Sequence, residues 1–156
     1  MLRLGLIVAI PVVFLDQLTK WWVLTDLMNP PAVIEVTRFF NFVLVWNRGV
    51  SFGLFDSDSR WGPMLLSGLA LAIAVALLVW LSRAGSRLPA IAIGMVLGGA
   101  VGNVIDRIRF GAVIDFLDFH ASGYHWPAFN VADSCISIGV GLLLYDGLFE
   151  NRRKFS

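Results

Sequence analysis

The stretch LPAIAIGMVLGGAVGNVIDR, residues 88–107, decides how this chain folds. Residues 88–105 carry no charged side chain, and a helix of about 20 predominantly apolar residues is long enough to cross a bilayer. Asn103, Asp106 and Arg107 fall at positions i, i+3 and i+4, so Asp106 and Arg107 each lie one helical turn from Asn103 near the end of the predicted helix. This stretch therefore predicts a membrane span that ends in a polar cluster.

Three more apolar segments accompany this one, at about 4–27, 61–81 and 133–149. Of the 156 residues, 58% are hydrophobic and 15% are charged, whereas a soluble domain averages roughly a quarter charged. Segments and composition together predict a mainly α membrane protein with four transmembrane helices, folded as a single domain over residues 1–156. We expect the first span to be retained, because no small-residue cleavage site follows it.

The distribution of charge predicts the orientation of the spans. The Lys and Arg residues of the short connections and of the two termini fall on one side of the membrane. The positive-inside rule predicts that this side is cytoplasmic. Both termini are therefore expected in the cytoplasm, with the segments at about 28–60 and 108–132 outside. The bias is modest, since the outer segments also contain arginines, and a net charge of only +1 gives no signature of nucleic-acid binding. The charges that define the inner side are Arg3, Arg83, Arg87, Arg152, Arg153 and Lys154.

The outer segments predict a small twisted β-sheet. Residues 32–36 and 39–46 are rich in β-branched and aromatic side chains, Asn47-Arg-Gly49 is typical of a turn, and residues 50–55 and 111–119 are candidates for further strands. The aromatic side chains fit either the lipid headgroup boundary or the core of the sheet. They are Phe39, Phe40, Phe42, Trp46, Phe52 and Phe55.

Two aspartates, Asp115 and Asp133, lie 18 residues apart at the edges of apolar segments. A carboxylate beside hydrocarbon loses water that it cannot replace, so such a pair indicates chemistry more than architecture. Asp118 competes with Asp115, but in a strand the two side chains point to opposite faces. Asp16 lies about 18 Å along the first helix, and Lys20 follows one turn later. Polar groups thus converge at the outer leaflet, where we predict the acid and base of a proteolytic site.

Glycines predict how the central helix packs. Gly94, Gly98 and Gly102 recur at four-residue spacing in the third span, and small residues so placed let helices approach closely. Asp106 continues this ridge one turn later. Its side chain should therefore face protein and not lipid.

Several polar side chains also have structural interpretations. Asp16 and Lys20 fit an intrahelical ion pair as well as a substrate-binding role. Asp106 and Arg107 fit ion pairs that fix the outer loops. Both interpretations stay open from the residues alone.

Other side chains with chemical potential have simpler interpretations. Asn47 and Asn130 fit turn-capping residues. Cys135 is the only cysteine, which excludes an intrachain disulfide and favours a small buried apolar residue. His120 and His125 lack the helical spacing and the carboxylate that a metal site requires, so we predict no metal there.

Five motifs occur in order along nearly the whole chain. They are Asp16-Gln-Leu-Thr-Lys20, Asn47-Arg-Gly49 with Phe52-Gly53, Gly99-Ala-Val-Gly-Asn103-Val-Ile-Asp106-Arg107, Val113-Ile-Asp115-Phe116 and Phe129-Asn130-Val-Ala-Asp133. With these motifs the chain resembles the bacterial lipoprotein signal peptidases, also called signal peptidase II. Each motif alone is weak, but all five in order, with four spans of suitable length, are specific.

The resemblance implies an aspartic endopeptidase of the bacterial cytoplasmic membrane, with four membrane helices and a small extracytoplasmic β cradle. Such enzymes remove the signal peptide from prolipoproteins, cutting before a cysteine that carries diacylglyceryl. Asp115 and Asp133 match the catalytic pair of the family, which places the active site on the outer face. The residues that match its polar surroundings are Asp16, Lys20, Asn47, Gly49, Asn103, Asp106, Arg107 and Asn130.

The resemblance also implies partners. We expect prolipoprotein substrates, contact with membrane lipid, inhibition by the cyclic peptide globomycin, and a monomer that needs no cofactor and no metal. Val50-Ser51 departs from the family pattern, in which alanines are common after the turn. This departure should alter packing of the cradle and not the reaction.

Two other classes of function stay open. A proton-coupled transporter also has ionisable side chains in membrane helices, although here they gather near one face and no inverted repeat is evident. A non-enzymatic membrane scaffold could use the aromatic sheet to hold a partner. That function would leave the cost of the clustered carboxylates unexplained.

Overall fold

The computed structural model describes residues 1–49 and 61–153. Four of its helices are long and apolar enough to cross a membrane, and a small antiparallel sheet accompanies them, which confirms the predicted fold class. The elements in order are α1 (Leu2–Trp22) continued by a π-helical turn (Val23–Leu27), β1 (Ile34–Thr37), β2 (Phe40–Asn47), α2 (Trp61–Arg83), α3 (Arg87–Phe110), β3 (Val113–Ala121), β4 (Tyr124–His125) and α4 (Val131–Arg153).

Two helix boundaries differ from the predicted ones in a way that affects the polar cluster. Helix α3 continues to Phe110 and not 107, because Gly111 ends it in the left-handed conformation at φ 72° and donates its N–H to the Arg107 carbonyl at 3.0 Å. Helix α4 begins at Val131 and not 133, directly after Asn130. Asp133 therefore lies within the first turn of α4 and does not open it.

Helix α3 is the centre of the bundle. In its membrane-spanning window 67% of the residues are buried, against 6% to 17% in the other three helices. Glycines make this possible, since a Cβ at Gly98 would lie 2.7 Å from the Ala9 carbonyl of α1, and one at Gly99 would lie 2.5 Å from the Ala132 carbonyl of α4. The predicted close packing along the glycine ridge is confirmed, and α1 and α4 meet α3 on adjacent faces.

The sheet has the strand order β1-β2-β3-β4 with antiparallel neighbours. Strand β3 leaves the end of α3 after a short connection, which keeps Asp115 close to the polar end of that helix. A register shift between Phe42 and Val45 of β2 brings Val45 opposite Asp115. The inner face of the sheet packs on the π-helical turn through Val23 and Ile114. The sheet thus covers the C-terminal end of α1.

The structure changes some expectations for the segments at about 28–60 and 108–132. Tyr124, expected in a loop, begins the short strand β4, because Ser122 and Gly123 adopt positive φ and turn the chain back onto β3. The predicted strand at 50–55, with Phe52 and Phe55, lies outside the described residues. Phe39 and Trp46 are exposed, whereas Phe42 is half-buried and meets the ring of Phe40 edge to face. The described aromatics therefore divide between exposed and half-buried positions, and their relation to lipid headgroups stays a prediction.

Candidate active site

Asp115 lies in the middle of β3 and is almost completely buried, with 1% of its surface exposed. Its two carboxyl oxygens accept side-chain hydrogen bonds from Asn47 at 2.8 Å and from Asn130 at 2.7 Å. Burial, together with the nearby charge of Asp133, raises the pKa of Asp115 to about 6 against the lowering effect of the hydrogen bonds from Asn47 and Asn130. A carboxyl group with this pKa can hold or release a proton near neutral pH.

Asp133 is the third residue of α4, and it forms a reciprocal cap with Asn130, the residue before the helix. The Asp133 backbone N–H donates to Asn130 Oδ1 at 3.0 Å, while the Asn130 N–H donates to Asp133 Oδ2 at 3.2 Å. This pattern is a capping box, in which the cap residue and the third helical residue satisfy each other's N–H groups. The start of the helix therefore fixes the Asp133 carboxylate in one orientation.

Asn130 joins the two aspartates through a single side chain. Its Oδ1 accepts the backbone N–H of Asp133, so its Nδ2 must be the atom that donates to Asp115. Asn47 is oriented in the same way, because its Oδ1 accepts the N–H of Gly49 at 2.8 Å and leaves Nδ2 for Asp115. Backbone N–H groups thus determine which end of each amide faces the carboxyl groups.

Asn103 of α3 completes the set of asparagines. Its Oδ1 accepts a hydrogen bond from Lys20 Nζ at 3.1 Å, and an ammonium group can only donate. Its Nδ2 therefore points to Asp133 Oδ1 at 2.8 Å. Three asparagine side chains from β2, α3 and the start of α4 thus direct N–H groups at the two carboxyl groups.

A buried ionic network supports these side chains. Lys20 pairs with Asp16 at 2.9 Å, as expected within α1, and also with Asp106 of α3 at 2.7 Å. Asp16 accepts the Ala132 N–H at the start of α4, and Asp106 accepts the Ile114 N–H next to Asp115. The three buried charges therefore connect α1 and α3 to both segments that carry the aspartate pair.

Gln17 is a member of this network that was not predicted from the sequence. Its Nε2 donates to Asp106 Oδ1 at 2.9 Å and lies 3.2 Å from Asp16 Oδ2 and from the Gly102 carbonyl. A signal was available, since a glutamine beside Asp16 in a membrane span needs polar partners. Gln17 adds neutral donors where two carboxylates share one lysine.

Arg107 and Gly49 lie at the rim of the site. Arg107 is half-buried; its guanidinium reaches the Asn103 carbonyl only at 3.5 Å, and its Nε meets no acceptor among the described residues. Its charge nevertheless acts on Asp133 and Asp115. Gly49 adopts a positive φ of 87°, which glycine tolerates and which aims its N–H at Asn47. All ten sequence-predicted site residues thus lie in or beside one cluster.

Asp118 belongs to a second polar cluster on the same strand. It accepts a hydrogen bond from Asn41 at 3.1 Å and pairs with His125 Nδ1 at 2.9 Å, so its partners differ from those of Asp115, as the strand alternation predicts. His120 stacks on His125 with ring centroids 4.8 Å apart. Across residues 1–49 and 61–153, no group of three or more His, Cys, Asp or Glu side chains is arranged to hold a metal ion.

Two cavities differ in their relation to the aspartate pair. One of about 570 Å³ is an apolar groove between α1, α2 and α3 within the membrane spans, with Gln17 on its wall. Another of about 340 Å³ lies at the rim of the sheet, lined by Trp46, Arg48, Phe110 and Ala112. The smaller cavity borders the end of β2 that carries Asn47, whereas the larger one meets the buried ionic network through Gln17.

Comparison with known proteins gives a consistent result. The family model described as signal peptidase (SPase) II matches residues 8–149. A lipoprotein signal peptidase of Methylorubrum extorquens (strain PA1) is 48% identical over 149 residues, or 94% of this chain and 86% of the relative. Another from Azoarcus sp. (strain BH72) is 48% identical over 151 residues, or 96% of this chain and 85% of the relative.

A solved structure described as a bacterial membrane enzyme, determined by the in meso method at 2.3 Å resolution, matches the fold with a TM-score of 0.81 and 31% identity. The match covers 96% of this chain and 90% of that chain. A second such structure, at 1.9 Å resolution, matches with a TM-score of 0.79 and 32% identity over 93% of this chain and 92% of that chain. This multi-pass membrane protein is therefore a peptidase that belongs to the signal peptidase II family.

Proposed function

We propose that this protein is an aspartic endopeptidase that removes signal peptides from prolipoproteins, cutting before the diacylglyceryl-modified cysteine. The relatives' name, lipoprotein signal peptidase, supports the substrate class. One observation carries the catalytic type: the side chain and backbone of Asn130 hold both Asp115 and Asp133. A single residue that binds two carboxyl groups keeps them within reach of one substrate bond.

The pair would act by general acid–base catalysis. Two neighbouring carboxyl groups share a proton, because adjacent like charges repel in a medium of low dielectric constant. Soluble aspartic proteases use a carboxyl pair in this way, and here it would be convergent chemistry on an unrelated fold. The ionised carboxylate activates a water molecule, while the protonated group donates to the scissile carbonyl oxygen.

Supporting residues would fix this pair and receive the substrate. Lys20, with Asp16 and Asp106, holds Asn103 in the orientation that serves Asp133. Arg107 has donor capacity left for a substrate carbonyl, since its Nε meets no acceptor in the described part of the chain. Asn47 and Gly49 extend the polar rim beside Asp115.

The depth of the site suits a lipid-modified substrate. The polar cluster lies at the ends of α1, α3 and α4 that share the side of the sheet, so a diacylglyceryl group could keep its acyl chains in the outer leaflet while its peptide bond reaches the aspartates. We propose a bacterial cytoplasmic membrane location with both termini inside and the site on the outer face. One domain over residues 1–156, acting as a monomer in contact with lipid, suffices, and globomycin should inhibit it.

The decisive experiment uses purified protein in detergent. A diacylglyceryl-modified precursor should be cut at the bond before the modified cysteine, and mass spectrometry of both products identifies that bond. The same precursor without lipid is the matched control and should be cut far more slowly. Ion flux without cleavage would favour a transporter, and a stable complex with neither flux nor cleavage would favour a scaffold.

A further inference from the structure

The two aspartates occupy unlike environments, and this difference assigns their roles. We infer that Asp133 is the ionised base of the pair and that Asp115 carries the shared proton in the free enzyme. This inference rests on the proposed aspartic mechanism. It goes beyond that mechanism, which needs one base and one proton donor but does not say which aspartate has which role.

Asp133 is placed where a negative charge is stabilised. It lies in the first turn of α4, where unpaired N–H groups and the helix dipole favour an anion. It accepts one backbone N–H from Asn130 and one side-chain N–H from Asn103. Its side chain is also only partly buried, so water contributes to its solvation. Each of these features favours the carboxylate over the acid.

Asp115 has a less favourable environment for a charge. It lies in the middle of a strand with 1% of its surface exposed, and it accepts two N–H groups, from Asn47 and Asn130, as many as Asp133 accepts, so its deeper burial and its distance from a helix terminus distinguish it. A strand has no dipole comparable to that of a helix terminus. The raised pKa of Asp115, about 6, agrees with a carboxyl group that keeps its proton more readily.

The surrounding charges favour the same assignment. Asp133 faces Asp115 from α4, Lys20 faces it from α1, and Arg107 and Asp106 are nearby on α3. Lys20 is already paired with Asp16 and Asp106, so its effect on Asp115 is the weakest of the contributions acting there. Arg107 acts more strongly on Asp133 than on Asp115, and within the described residues it forms no ion pair with a carboxylate. Its charge is therefore available to stabilise an anion at Asp133.

With this assignment the reaction balances. Asp133 takes a proton from water as its oxygen attacks the scissile carbonyl carbon, and Asp115 gives its proton to the carbonyl oxygen, which forms a neutral diol. Asp133 then donates its proton to the leaving nitrogen as the carbon–nitrogen bond breaks. Asp115 recovers a proton from the diol, which becomes the new carboxylic acid. Both groups end in their starting states, and one water molecule has been consumed.

Infrared spectroscopy of the full-length protein, labelled with carbon-13 at its aspartate carboxyl groups, tests the assignment without cleavage. The stretching band of a protonated carboxyl group should be present in the wild type and should disappear as the pH rises through about 6. Asp115→Asn should remove this band. Asp133→Asn should keep it but shift its titration to lower pH, since the charge of Asp133 raises the pKa of Asp115.

The matched control is Asp118→Asn on the same strand, which should leave the band unchanged. A band that survives in Asp115→Asn and is lost in Asp133→Asn would overturn the assignment. If Asp115→Asn fails to fold, the Asp133→Asn spectrum alone decides, because it retains the band only when Asp115 holds the proton. The proposed function fails separately, through absence of cleavage by wild-type protein, whatever the spectra show.

Discussion

Strand β3 carries two aspartates three residues apart, and comparing them shows what makes a carboxyl group reactive in this protein. Asp115 and Asp118 are both buried, and each accepts a hydrogen bond from an asparagine of β2. Their pKa values nevertheless move in opposite directions. Burial raises the pKa of Asp115 to about 6, whereas the pKa of Asp118 lies below its ordinary value.

The difference comes from the partners and not from burial. Burial alone would raise the pKa of Asp118 as well, but hydrogen bonds from His125 and Asn41 and the charges of the histidines outweigh it. Asp115 has a like charge, Asp133, where Asp118 has a basic ring. A buried carboxyl group opposite a second carboxyl group is poised to exchange protons, while one opposite a histidine is held in its ionised form. We therefore call the part of β3 around Asp115 its chemical end, and the part around Asp118 its structural end.

The largest expected effect is a difference in cleavage rate between variants at the two ends of β3. Asp115→Asn and Asp133→Asn should each lower the cleavage rate by about 10²–10⁴-fold or more, because each removes a proton donor or acceptor from the reaction. Asp118→Asn should retain activity of the same order as the wild type. Initial rates with a lipidated precursor, for variants matched in folding by circular dichroism, measure the contrast. Equal losses at Asp118 and Asp115 would remove the distinction between the two ends.

The second prediction concerns stability. Ionisation of Asp115 should destabilise the fold, whereas ionisation of Asp118 should stabilise it. Because the pKa of Asp115 is raised in the folded state, its ionised form destabilises the fold above pH 6. The cost is at most about 3 kcal/mol. It vanishes below the ordinary pKa of 3.8, where the carboxyl group is protonated in both the folded and the unfolded state. Asp115→Asn should therefore remove a decrease of stability with rising pH between about pH 4 and 6, and it should also lose one of the two N–H bonds that the carboxylate accepts from Asn47 and Asn130. Asp118 has a lowered pKa, so its stabilisation is present above pH 3.8 and is lost as the pH falls through the folded-state pKa.

Asp118→Asn should accordingly lower the melting temperature at neutral pH, and less so in acid. Thermal unfolding in detergent at several pH values, with Asp26→Asn at an exposed position of the π-helical turn as the control, measures both slopes. A pH slope of stability that is the same in the wild type, Asp115→Asn and Asp118→Asn would contradict the opposite pKa shifts. It would mean that lost hydrogen bonds, and not ionisation, dominate at both positions.

Much of this arrangement could be predicted from the sequence, because a membrane restricts the choices. Residues 88–105 without charge had to form a span, and the glycine ridge had to face a neighbouring helix. A polar side chain at the end of such a helix had to meet polar partners. Asn103 and Asp106 were therefore identifiable as members of a cluster from their positions in the chain.

The connections within the cluster could not be predicted in this way. The register shift in β2 depends on the three-dimensional packing of the sheet and leaves no sequence signal. The capping box at Asn130 and Asp133 was hidden because the predicted start of α4 was two residues late. Sequence spacing indicated which residues should meet. It did not indicate which atom of each amide would face which carboxyl oxygen.

The third prediction tests the asparagine that serves only the chemical end. Asn130→Ala should reduce activity by about 10–100-fold, because it removes the bond to Asp115 and the cap that orients Asp133, and helix caps contribute about 1 kcal/mol. Asn41→Ala, which removes the corresponding bond to Asp118, should affect stability more than activity. Steady-state rates and melting temperatures for both variants check this. Comparable activity in Asn130→Ala and wild type would show that Asn130 is not needed to hold the pair.

The smallest expected effect concerns Gln17, which reaches Asp115 only through Asp106 and the Ile114 N–H. Gln17→Leu should lower kcat by a few-fold with little change in KM, since Lys20 still holds Asp106 when the hydrogen bond from Gln17 is lost. Gln17→Glu should be worse than Gln17→Leu, although it keeps the shape of the side chain, because it adds a third carboxylate around a single lysine. Leu18→Met, on the exposed side of α1, is the control. A Gln17→Glu variant as active as the wild type would mean that Gln17 fills space in the groove wall and does not position the acidic network. The polar connection between α1 and the chemical end of β3 would then run through Lys20 and Asp106.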